Sequence, residues 1–470
     1  MAIGNLSDEV LLNIFRCYLD TSPQFWPRLV HICRKWRRIV FASQQALHLR
    51  LFCTHGTPVL KTLSCWPALP IVVRYGGAPA LDPPAPEDED DIMAALKHSD
   101  RVSSISLTVT SSLLEKLSAI ERPFSELEDL DLLSRDSMWL TMPSTFRWGP
   151  RLRTLHMTKI AIPALTRRLS PSADLVSLQL HNVDVGYFPP DALADALSAL
   201  TQLETLSLHF ISITPFRYDL VFLPRSRERV ILSALTCLKY RGTGEYLDHF
   251  VSRIDAPRLG DIDITFFSPP TMNDSQLGRF IDRIEMQNSH CRAEILSSER
   301  AISISFTQPE APTRLELQVS FEPFSRQLSC MAQICNGLSA LLLGVEHLRI
   351  STTQLSSWWD YREPLEWLKL MRSFRGTKRV HVAGDHSMSF MFALHSSWRE
   401  REAVLPALYK LCVRGPWQPH ARLQEAVKSF IHSRWLSGHI MVGVVYEREQ
   451  INKLLGTGTR FAKGQFESLI

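Results

Sequence analysis

Four runs decide the fold: Leu127–Leu132 reads LEDLDL, Leu152–Met157 reads LRTLHM, Leu175–Leu180 reads LVSLQL and Leu203–Leu208 reads LETLSL. All share the form apolar-x-x-apolar-x-apolar. The form returns at Val102-Ile105-Leu107, Leu235-Leu238-Tyr240, Leu259-Ile262-Ile264, Val345-Leu348-Ile350 and Leu408-Leu411-Val413, with a weaker copy at Val380-Val382. Early copies recur about every 23 to 28 residues and later ones up to about 32. Alternation at the last two apolar positions is the period of a strand, and a strand with its return segment cannot bury an apolar face alone.

Working outward, the spacing lies in and just beyond the leucine-rich-repeat range, so stacked units sharing one core are expected. The expected fold class is α/β: a small helical module over 1–55, then an irregular leucine-rich-repeat solenoid over 60–450 with a curved, mainly parallel sheet, and a tail at 451–470. The repeat lapses between Ile264 and Val345, where AISISF and RLELQVSF flank the Pro-rich TQPEAPT and read as a hairpin within an irregular insertion near 265–325. At Pro83-Pro84-Ala85-Pro86 a stiff link runs into Glu87–Asp91, which suits the acidic first turn of a helix; an acidic binding run is the other reading.

The chain has 470 residues, 45% apolar and 21% charged, a composition that folds. Lys and Arg outnumber Asp and Glu by 52 to 48, too even a balance to steer nucleic acid or an anionic membrane, so neither is expected as a partner. Nine cysteines are scattered with no C-x-x-C pair, which argues for thiols in a reducing compartment rather than a disulfide framework or zinc site. MAIGNLSDEV carries no basic-then-apolar leader, and no run of 18 apolar residues follows, so an intracellular protein, cytoplasmic or nuclear, is expected.

Upstream of the repeats, LSDEVLLNIFRCYL (6–19) offers Ser7 or Asp8 as a cap and repeats Val10, Leu11, Ile14, Phe15, Tyr18 and Leu19 at helical spacing. After Thr21-Ser22-Pro23, FWPRLVHICRKWRRIVFA (25–42) predicts a second helix, with Leu29, Ile32 or Cys33, Trp36, Ile39 and Val40 on one stripe. The basic cluster Arg34, Lys35, Arg37, Arg38 reads as its solvated face, with a nuclear signal or phosphate contact as the other reading.

These two segments resemble the F-box, in which Leu-Pro-x-Glu opens a first helix and Val-Cys-x-x-Trp lies in a later one. Leu6, Glu9, Leu12, Ile14, Phe15, Cys33 and Trp36 stand at matching positions. Ser7 replaces the usual Pro, and His31-Ile32 separate Val30 from Cys33. The whole chain is similar to F-box proteins with irregular leucine-rich repeats that are numerous in mushroom-forming fungi, where blocks such as WWDYREPLEWLKLMRSF (358–374) occur late in the repeats. The resemblance implies a non-catalytic substrate receptor. Its F-box would dock on the Skp adaptor of a cullin-RING ubiquitin ligase, with Leu6, Ser7, Ile14, Phe15 and Trp36 contacting the adaptor or supporting that surface. The alternatives are a repeat scaffold for a protein partner, its helices only capping the array, and an enzyme with an unrecognised site after residue 264.

No motif for phosphate, dinucleotide, acyl-transfer or zinc-hydrolase chemistry occurs, so no cofactor is expected and an enzyme is not. Gly242-Thr-Gly244 and Gly456-Thr-Gly458 read as turns, and His381 and His386 near Asp385 as surface-loop histidines rather than an acid-base or metal group. Trp367 falls at helical core spacing; Trp358 and Trp359 could mark an interface. A solenoid presents the residues between its strand leucines on the concave face. These are Asp129 and Asp131, Thr154 and His156, Ser177 and Gln179, Thr205 and Ser207, Cys237 and Lys239, and Asp261 and Asp263. The last group, His347, Arg349, Arg379, His381, Lys410 and Arg414, is basic and is the candidate substrate face, suited to an acidic or phosphorylated segment; ordinary solvated alternation is the plainer reading.

Overall fold

The structure, a computed structural model, describes residues 6–75, 86–120, 122–136, 139–183, 189–211, 229–267, 276–284, 291–298, 301–308, 313–320, 324–352, 364–383, 386–396, 404–415, 421–436, 438 and 443–448. The chain divides into two compact units, Met1–Tyr187 with Ala199–Leu203, and Phe188–Ser198 with Glu204–Ile470.

The first unit opens with three helices, α1 (Asp8–Thr21), α2 (Trp26–Ile32) and α3 (Arg34–Ala42). Ser7 is the N-cap of α1, its side chain accepting from the Val10 N–H at 3.4 Å, and Asp8 and Glu9 meet the positive end of the helix dipole. Leu11, Phe15 and Leu19 form its buried stripe. The single helix expected over 25–42 is instead two helices, broken at Cys33, whose backbone is extended (φ −160, ψ 168). The break turns the chain so that Leu29 and Val30 of α2 and Ile39 and Val40 of α3 are all buried, while the Trp36 ring packs at a tilt against Phe15 with centroids 4.7 Å apart. Trp26, Phe41 and Trp66 form an aromatic cluster, and the Trp26 indole donates to the Arg50 carbonyl at 2.7 Å.

The sheet of this unit is all parallel, in the order Leu51–Thr54, Ile71–Tyr75, Val102–Val109, Asp129–Ser134, Thr154–Thr158, Ser177–Val183. Register places Leu130, Leu155 and Leu178 in one row and Leu132, Met157 and Leu180 in the next, all fully buried. One backbone link recurs where the chain enters each strand: Glu128 N–H to Ser103 O, Arg153 N–H to Glu128 O and Val176 N–H to Arg153 O, each 2.8 Å. The repeat pattern is thus read directly as strand and core, with the amide at each of these entries satisfied by the preceding repeat. Helices Val59–Cys65, Pro86–Leu96, Ser111–Ser118 and Leu165–Leu169 fill return segments; the acidic run at 87–91 lies in a helix as its start chemistry suggested.

In the second unit Thr205–Phe210, Cys237–Gly242 and Asp261–Phe266 continue the repeat in parallel. The lapse after Ile264 is a real change of topology. Ile302–Thr307 and Arg314–Val319 form the expected antiparallel hairpin, and a strand not anticipated, Cys291–Ser297, pairs antiparallel with Ile302–Thr307. Arg314–Val319 joins Asp261–Phe266, and Cys291–Ser297 joins Val345–Thr352, so these three strands sit in the reverse of their chain order. Parallel pairing then resumes through Arg379–Ala383, Lys410–Gly415 and Gly443–Arg448. Behind them, Trp367 is buried in the helix Pro364–Arg372 edge-to-face with Phe390, as its spacing predicts. A Cβ on Gly278 would meet the Gly337 carbonyl oxygen at 2.1 Å, so the approach of the helices Gln276–Arg283 and Phe324–Gly337 requires glycine there.

In each unit an arginine, half-buried in the first and buried in the second, pins loop carbonyls. Arg168 donates to Pro143 O at 2.6 Å and Met142 O at 3.4 Å. Arg434, only 4% exposed, donates to Leu405 O, Pro406 O and Leu408 O at 3.0–3.1 Å, holding a loop in which Leu405 has φ 53. Burial lowers both guanidinium pKa values.

Candidate functional site

The helical module keeps two apolar stripes on α1. Beside the buried stripe of Leu11, Phe15 and Leu19, about 100° round the helix, stand Val10, Ile14 and Tyr18, at i, i+4 and i+8, all exposed, with Ile32 exposed on α2. Of the residues expected to serve an adaptor surface, Ile14 and Ser7 are exposed, Leu6 and Trp36 half-buried, and Phe15 wholly buried, where it backs the helix from inside. Val10 and Tyr18 stand in the apolar helical pattern read from the sequence but not among the adaptor residues, although their four-residue spacing from Ile14 was the signal. The basic cluster of α3 is not simply solvated. Lys35 Nζ donates to Leu6 O at 2.6 Å and lies 3.5 Å from Asp8, Arg38 Nη2 meets Asp8 Oδ2 at 3.1 Å, and Arg37 Nε donates to Val30 O at 2.9 Å. These contacts fix the start of α1 against α3.

The residues between the strand leucines are half-buried or exposed in both units, apart from Ser207, which is buried. In the first unit they bond to one another. Asp131 sits at the centre: Ser106 Oγ donates to its Oδ2 at 3.1 Å, and its Oδ1 lies 2.9 Å from His156 Nδ1. His156 Nε2 is 3.2 Å from His181 Nδ1 and 3.1 Å from Thr158 Oγ1. Burial pushes the Asp131 pKa up, but the hydrogen bond and charge of His156, the Ser106 hydrogen bond and the Arg74 guanidinium outweigh it, and the net shift is downward. Toward the helices, Arg16, Arg50 and Arg74 share a cavity of about 810 Å³ with Asp20 and Asp129, so guanidiniums and carboxylates offset each other there.

In the second unit the candidate substrate residues fall in register. Arg292, His347, Arg379 and Lys410 make one row across four strands; Glu294, Arg349, His381 and Cys412 make the next, and Arg414 follows. Five basic side chains (Arg292, Arg349, Arg379, Lys410, Arg414) stand in these rows; Glu294 pairs with Arg349 at 3.3 Å, and the register sets Glu447 opposite Arg414. Arg379 also lies 5.5 Å over the Tyr409 ring. Burial lowers the His347 pKa, and Arg379, Arg292 and Lys378 add to the shift against a weaker pull from Glu346. Arg292 was missed because its strand carries no repeat motif.

His381 is a strand residue between buried Val380 and Val382 rather than a loop histidine, because its register with Arg349 and Cys412 fixes it in the sheet. His386 begins the helix His386–Ser396; Asp385, Trp358, Trp359, Gly456, Gly458 and the 451–470 tail lie outside the described residues. Gly242 ends one strand and Gly244 opens a helix, as a turn requires. Cys17, Cys33, Cys53, Cys65, Cys237, Cys330, Cys335 and Cys412 form no disulfide. Among the described residues no group of three or more His, Cys, Asp or Glu side chains is arranged to hold a metal, and no helix is long and apolar enough to cross a membrane.

Searches of protein families and of curated proteins return no match for this chain. Among solved structures, the chain matches the leucine-rich repeat-containing protein LegL7 from Legionella pneumophila, at 11% identity over 81% of this chain and 97% of that one, with a TM-score of 0.23. At that identity and score the match leaves the fold resting on this chain's own features, the recurring apolar-x-x-apolar-x-apolar strands and their parallel register.

Proposed function

We propose that the chain is a non-catalytic, two-ended docking protein: the F-box-like helices bind the Skp adaptor of a cullin-RING ubiquitin ligase, and the repeat sheet holds a protein target for ubiquitin transfer by other subunits. The observation that carries the first half is the outward stripe of α1, where Val10, Ile14 and Tyr18 are 44%, 45% and 36% exposed on a helix already anchored by its other face. A capped, pinned helix that leaves large apolar side chains in water is built for a partner's apolar groove. For the target, His347, Arg349, Arg379, His381, Lys410 and Arg414 supply donors and positive charge toward an acidic segment.

The test is co-expression of the full chain with the Skp adaptor and capture of the complex. Wild type retains the adaptor, and Ile14→Glu with Tyr18→Glu, both outside the core, releases it while the melting temperature stays unchanged. Wild type that captures no adaptor overturns the ligase half. The packing of Trp26 against Trp66, 4.8 Å between centroids, favours a second reading, a repeat scaffold whose helices serve as its cap. In that reading the double variant changes nothing but solubility.

A further inference from the structure

The polar cluster on the outward face of the first unit brings two imidazole nitrogens within 3.2 Å, a separation that suits a shared cation as well as a hydrogen bond. Two nitrogens each about 2.0–2.1 Å from a tetrahedral zinc ion stand about 3.3–3.4 Å apart. His156 Nε2 and His181 Nδ1 stand 3.2 Å apart, on neighbouring parallel strands that hold them in register-fixed positions, with Thr158 in line with His181. Metal-bound imidazoles donate their other ring N–H to a carboxylate, which fixes the tautomer and makes the ligating nitrogen more basic. Asp131 Oδ1 holds His156 Nδ1 in that way at 2.9 Å. The carboxylate is itself fixed by Ser106 Oγ at 3.1 Å.

We infer that His156 Nε2 and His181 Nδ1 form a two-imidazole site for a late first-row divalent cation such as zinc, with Asp131 as the outer carboxylate that orients His156. Without metal, one of the two facing nitrogens must carry the hydrogen between them. The cation takes that hydrogen's place, and it moves to the far nitrogen of its ring. Thr158 Oγ1, 3.1 Å from His156 Nε2, borders the site. Two protein donors leave coordination positions for water or for a donor atom of a bound partner, so the site would reinforce docking on this sheet rather than lock the fold. The inference stands apart from the adaptor reading, since it uses no residue of the helical module.

The experiment is zinc titration of the full chain, stripped with EDTA, by calorimetry. Wild type is expected to take up one zinc, and His156→Gln and His181→Gln each to weaken it at least tenfold. Asp131→Asn should weaken it about tenfold, as removal of an outer carboxylate does. X-ray absorption should report two imidazole nitrogens at about 2.0–2.1 Å in wild type and one in either histidine variant. Melting in EDTA identifies a variant that loses binding by unfolding, and the absorption spectrum of the wild type then decides. No uptake by wild type at millimolar zinc, affinity unchanged in both histidine variants, or a coordination shell without two imidazoles overturns the site.

Discussion

The strands from 102 to 183 are all parallel and those from 291 to 415 mix antiparallel with parallel pairs, and the polar residues on their outward faces behave differently. In the first, Ser106, Asp131, His156, Thr158 and His181 satisfy one another in a single connected group. In the second, basic residues outnumber the carboxylates Glu294 and Glu316, and the field of Arg379 and Arg292, added to burial, already disfavours the charged form of His347. The difference teaches that a repeat scaffold fixes where side chains stand and leaves their chemistry to the residues between the leucines. A face whose charges are paired is spent on its own structure or a metal; a face with surplus charge has something left for a partner.

The comparison assumes equally firm scaffolds beneath the two faces, and Arg434 and Arg168 test that first. Arg434→Met strands three well-bonded carbonyls around Leu405 and should lower stability by about 3 kcal/mol in chemical denaturation. Arg168→Met, at a half-buried site, should lower it by about 1–2 kcal/mol. Equal and negligible losses would show that the loops do not depend on these guanidiniums. A sharper contrast comes from Asp131→Asn, which should cost about 1 kcal/mol at neutral pH, a value reduced because the carboxylate is 46% exposed. Because the Asp131 pKa is lowered on folding, its contribution is present above the usual 3.8 and fades as pH falls through the folded value, so the variant should flatten the acid limb of the stability curve.

On the other face, Arg349→Glu with Arg379→Glu should change stability by less than about 0.5 kcal/mol, since exposed pairs contribute little. The same pair should weaken capture of an acidic target by about tenfold or more, with a loss of salt dependence. Unchanged capture would remove the substrate role of these rows. The smallest effect belongs to His347. Its lowered pKa means the folded state binds fewer protons than the unfolded state just below pH 6.5, so stability falls as pH drops through that value, and His347→Gln should remove this part of the slope. An acidic ligand on the rows should raise the same pKa, and its binding should then take up protons.

The repeat strands were legible because a two-residue alternation is local: every apolar-x-x-apolar-x-apolar copy is a strand with its apolar residues buried. The start of α1 was legible for a similar reason, since Ser7 and the acids after it act on the next turn. The break at Cys33 was not, because the stripe 29, 32 or 33, 36, 39 and 40 is consistent with one straight helix; only burial of both halves and the contact of Trp36 with Phe15 require a turn there.

The sequence by itself determined which repeat segments are strands, which of their residues alternate outward and that the N-terminal segment is helical, because each depends on residues a few positions apart. Only the tertiary structure decided the reversed order of the strands 291–319, the choice of Leu11, Phe15 and Leu19 rather than Val10, Ile14 and Tyr18 for the core, and the meeting of Asp131, His156 and His181. Those three lie 25 residues apart in sequence, in three different repeats, and what joins them is strand register, a quantity no local pattern contains.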